Sequence, residues 1–86
     1  MTDQVFKYTL RLGANFIDMP DGAEILSVGI QEGQSVVWAP VTSENYTVFR
    51  EILVAHTGVF LPDTVGRFLG TIQDNVDLVY HAFEVE

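Results

Sequence analysis

Apolar and polar residues alternate along much of this chain, which is the pattern of β-strands that turn one face toward a core. In residues 5–12 the even positions are apolar, whereas Lys7, Thr9 and Arg11 lie between them. The same period of two recurs in residues 24–31, where alternate positions are Leu, Val and Ile. Both segments are therefore predicted to be half-buried strands.

Residues that favour turns separate the patterned segments. Gly22, Gly33, Gly58 and Asn75 supply the backbone freedom that tight turns need. Glu32-Gly33 stands between two apolar runs and predicts a two-residue β-hairpin. About seven strands are expected, over residues 5–12, 16–19, 24–31, 34–39, 47–56, 68–73 and 76–85.

Residues 47–56 carry large apolar side chains at both odd and even positions, interrupted by the pair Arg50-Glu51. This predicts a central strand that is buried on both faces or crosses a bend between sheets. A helix is the alternative, because Val48, Ile52 and Ala55 would share one of its faces. Strong helix formers are scarce in the segment, which favours the strand.

Three expectations concern the ends of strands. Residues 13–15, Gly-Ala-Asn, are predicted to turn before the second strand. Pro40 is predicted to end the fourth strand and to open a loop that reaches Tyr46, since proline has no N–H for a ladder. Residues 61–65 could form one turn of helix with Pro62 at its first position.

The chain is predicted to fold as one all-β domain spanning residues 1–86. Strands with short connections favour a compact, mainly antiparallel β-sandwich or partly open barrel. Of the 86 residues, 48% are hydrophobic, enough for one core without disulfides.

Charge argues against nucleic acid as a partner. Twelve acidic residues against four basic ones give a net charge of −8, which repels phosphate backbones. The acids are dispersed along the sequence, as on an ordinary solvated surface. The alternative is an acidic face that mimics nucleic acid or binds a basic partner.

The chain has no Cys, so a disulfide framework and a thiolate zinc site are excluded. The N-terminus lacks the pattern of a signal peptide, and no apolar run is long enough for a membrane span. A cytoplasmic protein without membrane association is expected.

No motif indicates catalysis, a metal or a cofactor. His56 and His81 are 25 positions apart and fit none of the usual metal-ligand spacings. The serines lie outside any nucleophile elbow, and the glycines form no phosphate-binding loop. An enzyme is not predicted.

A few residues could serve a ligand or a partner. Trp38 and Tyr80 could stand at a rim where a base stacks or a protein docks. The two arginines of the second half are the natural partners of an anion, and hydroxyl or imidazole groups could hold polar atoms. The predicted binding residues are Trp38, Arg50, Thr57, Arg67, Tyr80 and His81.

Several segments carry a resemblance: Met19-Pro20-Asp21-Gly22-Ala23-Glu24-Ile25-Leu26-Ser27-Val28, Gln31, Trp38-Ala39, Thr57-Gly58, Leu61-Pro62, Gly70-Thr71 and His81-Ala82-Phe83-Glu84. With them the chain resembles a family of short uncharacterised proteins of tailed phages and bacterial genomes. The likeness covers nearly the whole chain. It implies a phage or prophage accessory protein in the cytoplasm of a bacterial host. The family carries no assigned activity, so no functional residue is transferred.

These observations favour a non-enzymatic protein that binds a bacterial or phage protein, for example as a host-defence or takeover factor. One alternative is a protein that binds or sequesters a small nucleotide signal. Another is a homo-oligomeric structural component whose edge strands pair between subunits.

Overall fold

The computed structural model describes residues 4–41, 46–74 and 76–86, and these residues form seven β-strands and no helix. The fold is therefore all-β, as predicted. The strands are β1 (Gln4–Thr9), β2 (Gly13–Pro20), β3 (Ser27–Gln31), β4 (Gln34–Val41), β5 (Thr47–His56), β6 (Val65–Gln73) and β7 (Val79–Val85).

The strands make two antiparallel sheets that pack face to face. One sheet has three strands in the order β1-β4-β3, and the other has four in the order β2-β5-β7-β6. No ladder joins the two sheets among the described strands, so the architecture is a sandwich and not a closed barrel. The smallest extent of the backbone is 15 Å, which fits two layers about 10 Å apart.

Local turn chemistry accounts for the hairpins. Glu32 and Gly33 both have positive φ, 52° and 78°, as a type I′ turn requires, and they join β3 to β4 as predicted. Gly22 has a φ of 78° in the turn closed by the bond from the Ala23 N–H to the Pro20 carbonyl. β6 and β7 also form a hairpin, but β7 begins at Val79 and not at residue 76 as predicted, because the Asp74 N–H donates to the Leu78 carbonyl and Asp77 has a φ of 64°. Asn75 lies outside the described residues.

The core lies between the sheets and is built from the inward positions of the alternating strands. Val37 and Ala39 of β4 face Ile52 and Val54 of β5 and Ala82 of β7, and all five are buried. Tyr8, Ile17, Val28, Leu69 and Tyr80 pack around this cluster with partial exposure.

The two sheets approach most closely where β3 crosses β6. A Cβ atom placed on Gly70 would collide with Cγ2 of Val28. Gly70 also lies at an irregularity of the β6–β7 ladder, where the register shifts between Phe68 and Gly70. Glycine is needed here because the Val28 side chain occupies the space of its missing side chain.

Several strand boundaries differ from the predictions. β1 ends at Thr9, and residues 13–15 belong to β2 instead of forming a turn. The Asn15 side chain explains this: it bonds to the Arg11 N–H and carbonyl, and so braces the passage from one sheet to the other.

Pro40 does not end its strand, because β4 continues to Val41. Pro40 is paired with Val5 of β1, whereas the β3 ladder has already ended at the Ser27–Trp38 pair. A strand paired on one side only can accept a residue without an N–H. Of the loop predicted to follow, residues 42–45 lie outside the described part of the chain.

β5 has the predicted bounds and lies centrally between β2 and β7, and so the helical alternative is excluded. The alternative that this strand is buried on both faces is wrong, because Phe49 on its outer face is 74% exposed. Residues 62–65 form a single turn closed by the Val65 N–H and the Pro62 carbonyl.

Candidate functional site

The outer face of the four-stranded sheet carries an unusual concentration of large apolar side chains. Strand alternation places Phe16 of β2, Phe49 of β5, Phe68 of β6 and Phe83 of β7 on this face, opposite to the core. Leu53 and Val85 lie between them in register. We call the set Phe16, Phe49, Leu53, Phe68, Phe83 and Val85 the phenylalanine face.

The phenylalanine face is open to solvent. Phe16 is 66% exposed and Phe68 is 55% exposed, while Phe83 is half-buried against Phe68 with the ring centroids 5.5 Å apart. Scattered surface apolar residues are normal, but a contiguous set on one sheet face marks an interaction surface. This face is the strongest candidate site among the described residues.

Glu51 is an acidic residue at the centre of the phenylalanine face. Its cross-strand partners are Phe16 on β2 and Val85 on β7, and its neighbours two residues away on β5 are Phe49 and Leu53. The Glu51 side chain is half-buried, and within the described residues it has no hydrogen bond or ion pair. A carboxylate thus stands in an apolar surround without an internal cation.

Asp18 adds a second carboxylate to this face. It is exposed and pairs with Phe49 across the β2–β5 ladder, which makes it a diagonal neighbour of Glu51. Diagonal neighbours on one face of an antiparallel pair lie about 7–8 Å apart. The phenylalanine face is therefore apolar with a local negative charge.

A cluster of three polar side chains lies at the opposite end of the same sheet face: Thr57, Thr71 and His81. The His81 ring meets the Thr57 hydroxyl at 2.7 Å through Nε2 and the Thr71 hydroxyl at 3.1 Å through Nδ1. Two predicted residues, Thr57 and His81, are thus brought together, and Thr71 is the neighbour that sequence reasoning missed.

The Thr57–His81–Thr71 chain has the order of a nucleophile, a base and an orienting group. The third member is a hydroxyl instead of a carboxylate, so it supplies no negative charge to stabilise an imidazolium. Both threonines are exposed to water, and His81 is half-buried. The arrangement holds the histidine ring in place but offers weak support for covalent catalysis.

Arg50 is a structural residue on the inner side of the sheet. Its guanidinium makes two bonds to Glu84, Nε to Oε2 at 2.6 Å and Nη2 to Oε1 at 2.9 Å, and Nη1 donates to the Ala23 carbonyl. These partners occupy the N–H donors of the guanidinium that an anionic ligand would need.

Tyr80 also points inward and is separated from His81 by the sheet. Its ring lies 5.0 Å from the His56 ring, and its hydroxyl donates to Asp74 Oδ2 at 3.1 Å. Burial, followed by the bond to Asp74, raises the pKa of Tyr80. Burial would raise the pKa of Asp74, but bonds from the Val76 and Leu78 amides and from Tyr80 outweigh it and lower this pKa.

Trp38 lies away from both the phenylalanine face and the Thr57–His81–Thr71 cluster, whereas Arg67 precedes Phe68 of the phenylalanine face on β6. Trp38 is on the outer side of the three-stranded sheet, where its ring covers Gly29 with Cζ3 and Cη2 only 3.1 and 3.2 Å from the position of a Cβ. Arg67 is exposed at the irregular part of β6. The six predicted residues therefore form no single site.

A cavity of about 210 Å³ opens at one end of the sandwich. Apolar residues of both sheets line it together with Gln34, Ser35, Asp74 and Tyr80. Asp74 is its charged lining residue, and none of the four basic residues is part of the lining described. This chemistry disfavours a phosphate, and the nucleotide hypothesis stays a prediction.

The described residues offer neither a metal site nor a membrane-spanning helix. No three of their His, Asp and Glu side chains are placed to share a metal ion. No helix in this part of the chain is long and apolar enough to cross a membrane.

The fold and its open face define a small two-sheet β-sandwich with an exposed apolar face. The chain belongs to the family described as Domain of unknown function (DUF7352), whose model matches residues 1–86. No curated protein and no solved structure matches the chain in the corresponding comparisons.

Proposed function

We propose that this protein is a non-enzymatic binding protein whose phenylalanine face docks on another protein. The single observation that carries the proposal is the solvent exposure of Phe16, Phe49 and Phe68 on one face of the four-stranded sheet. Aromatic side chains are the commonest anchors of protein interfaces, because they bury a large area and lose little conformational entropy.

The rigidity of the surface supports this role. Phe16 lies on β2, Phe49 on β5 and Phe83 on β7, so a continuous hydrogen-bonded ladder fixes their spacing. A preorganised surface loses little freedom when a partner binds, and more of the burial energy then appears as affinity.

The partner proposed is a bacterial or phage protein in a bacterial cytoplasm, on the strength of the resemblance to phage and bacterial proteins. A host-defence or takeover factor would act in this way, by occupying a surface of a host component. The net charge of −8 supports a protein partner over nucleic acid.

A capture experiment with matched variants tests the proposal. The face variant, Phe16→Thr with Phe49→Thr, removes two anchors with residues that favour strands. The control, Val5→Thr with Leu26→Thr, changes two exposed apolar residues outside the four-stranded sheet. Each protein is immobilised at equal density and exposed to bacterial lysate.

A protein retained by the wild type and the control, and lost at least about tenfold from the face variant, is the expected result. An identical retained set for all three proteins would contradict the proposal. Light scattering on the same samples tests the oligomeric alternative: a dimer abolished in the face variant would assign the phenylalanine face to self-association.

A further inference from the structure

We infer that the partner of the phenylalanine face presents a basic side chain, Lys or Arg, surrounded by apolar groups, and that this cation pairs with Glu51. The inference rests on the proposed function and specifies the chemistry of the partner.

Four apolar side chains surround Glu51 on the phenylalanine face. Phe16 and Val85 flank it across the two ladders, and Phe49 and Leu53 flank it along β5. When a partner covers these four apolar side chains, it removes water from the carboxylate as well. A buried carboxylate without a cation or donors is strongly unfavourable.

Among the described residues, no basic side chain forms an ion pair with Glu51. Arg50, the adjacent residue in β5, points to the other side of the sheet and is held by Glu84. Arg67 lies on β6, two strands from β5 in the sheet order. None of the in-register neighbours of Glu51 is basic, so the compensating charge has to come from the partner.

A second copy of the chain is a poor partner for the phenylalanine face. A symmetric dimer through this face would oppose the same patch on both subunits and bring two sets of Asp18 and Glu51 together. Each copy also carries a net charge of −8, and like charges across an interface are costly. A partner that is basic and apolar complements both the carboxylates of this face and the net negative charge of the chain.

Small probes can test the inference without the natural partner. Hexylguanidinium, hexanol and hexanoate share an apolar chain and differ in the charge of the head group. Each is titrated at low salt into the ¹⁵N-labelled full chain while amide shifts are followed by NMR. We expect shifts at Phe16, Glu51 and Val85, with hexylguanidinium binding about fivefold more tightly than hexanol and hexanoate more weakly.

Two matched variants test whether the preference for hexylguanidinium over hexanol depends on Glu51. Glu51→Gln and Glu24→Gln each remove one negative charge, but Glu24 is an exposed residue outside the strands. Glu51→Gln is expected to abolish the preference for hexylguanidinium over hexanol, and Glu24→Gln is expected to retain it. Unfolding curves of both variants check that they are folded.

Three results would overturn the inference: equal binding of hexylguanidinium and hexanol, a preference that survives in Glu51→Gln, or no shifts on the phenylalanine face with hexylguanidinium. The proposed function depends on Phe16 and Phe49 in the capture experiment, whereas this test depends on Glu51. Equal binding of hexanol and hexylguanidinium would leave an apolar docking face intact, so the two failures are distinguishable.

Discussion

Arg50 and Glu84 form a two-point ion pair on the inner side of the four-stranded sheet, and their side chains are only 17% and 22% exposed. The guanidinium also binds the Ala23 carbonyl, so that it ties β5 and β7 to the segment before β3. Breaking such a pair from one side leaves a largely desolvated charge.

Glu84→Ala is expected to lower the free energy of unfolding by about 3 kcal/mol, because Arg50 is left without its anion. The double variant Arg50→Met, Glu84→Met should lose clearly less free energy of unfolding than Arg50→Met and Glu84→Met lose together as single variants, since neither charge remains. Urea unfolding measures these differences. Arg67→Ala, at an exposed position, serves as the control with a change under about 0.5 kcal/mol. A Glu84→Ala protein as stable as that control would contradict the structural role of the pair.

Gly70→Ala is expected to destabilise the protein by about 1–3 kcal/mol, because the new methyl group would collide with Val28 where β3 crosses β6. Shortening Val28 to Ala makes room, so the double variant should be more stable than the two single losses predict. A double-mutant cycle by urea unfolding measures this coupling. Strict additivity would show that the two side chains do not share the space.

Asp74→Asn is expected to reduce the loss of stability in acid. The folded-state pKa of Asp74 lies below its ordinary value, so the carboxylate contributes stability above about pH 4 that disappears as the pH falls through the lower folded value. Urea midpoints of the wild type and the variant between pH 6 and 2 measure the difference, with Asp63→Asn as the exposed control. Parallel acid profiles of all three proteins would refute this assignment.

Tyr80→Phe removes the hydroxyl that donates the hydrogen bond to Asp74. The folded-state pKa of Tyr80 is raised above 10.0, so its contribution is complete below pH 10 and is lost as the pH rises through the higher folded value. The variant should therefore lose stability less steeply above pH 10 than the wild type does. Urea midpoints between pH 8 and 12 measure it, and identical slopes would argue against the bond to Asp74.

Gly29→Ala is expected to shift the fluorescence emission of Trp38, the sole tryptophan, to longer wavelength. The added methyl group would lie 3.1 Å from Cζ3 of the indole, so the ring has to move outward toward water. Ser27→Ala, directly opposite Trp38 in the β3–β4 ladder, adds no atoms and is the control. An unchanged spectrum in Gly29→Ala would mean that the ring does not cover the glycine.

Local patterns predict the strands well because strands and turns depend on neighbouring residues. Thr47–His56 has its predicted ends, and the Glu32-Gly33 hairpin follows from two positions that accept positive φ. Pro40 and Asn15 escape prediction because their effects depend on a neighbouring strand: the early end of β3 accommodates Pro40, and the Asn15 amide donates to the Ile52 carbonyl of β5.

The candidate site was predicted only in part, because its members meet through register. Thr57 and His81 were selected separately, and the β5–β7 and β6–β7 ladders are needed to place them beside Thr71. Arg50 was expected to be available to a ligand, but the residue that neutralises it lies 34 positions later. Phe49 and Leu53 had a visible signal, the apolar outer positions of β5, which was attributed to burial within the domain.

The phenylalanine face also determines how the protein should behave when it is concentrated. At neutral pH the charge of −8 keeps molecules apart, but this repulsion vanishes near the isoelectric point of about 4.4, while the aromatic patch is unchanged. Mild acidification toward this pH should therefore make the chains associate through their sheets.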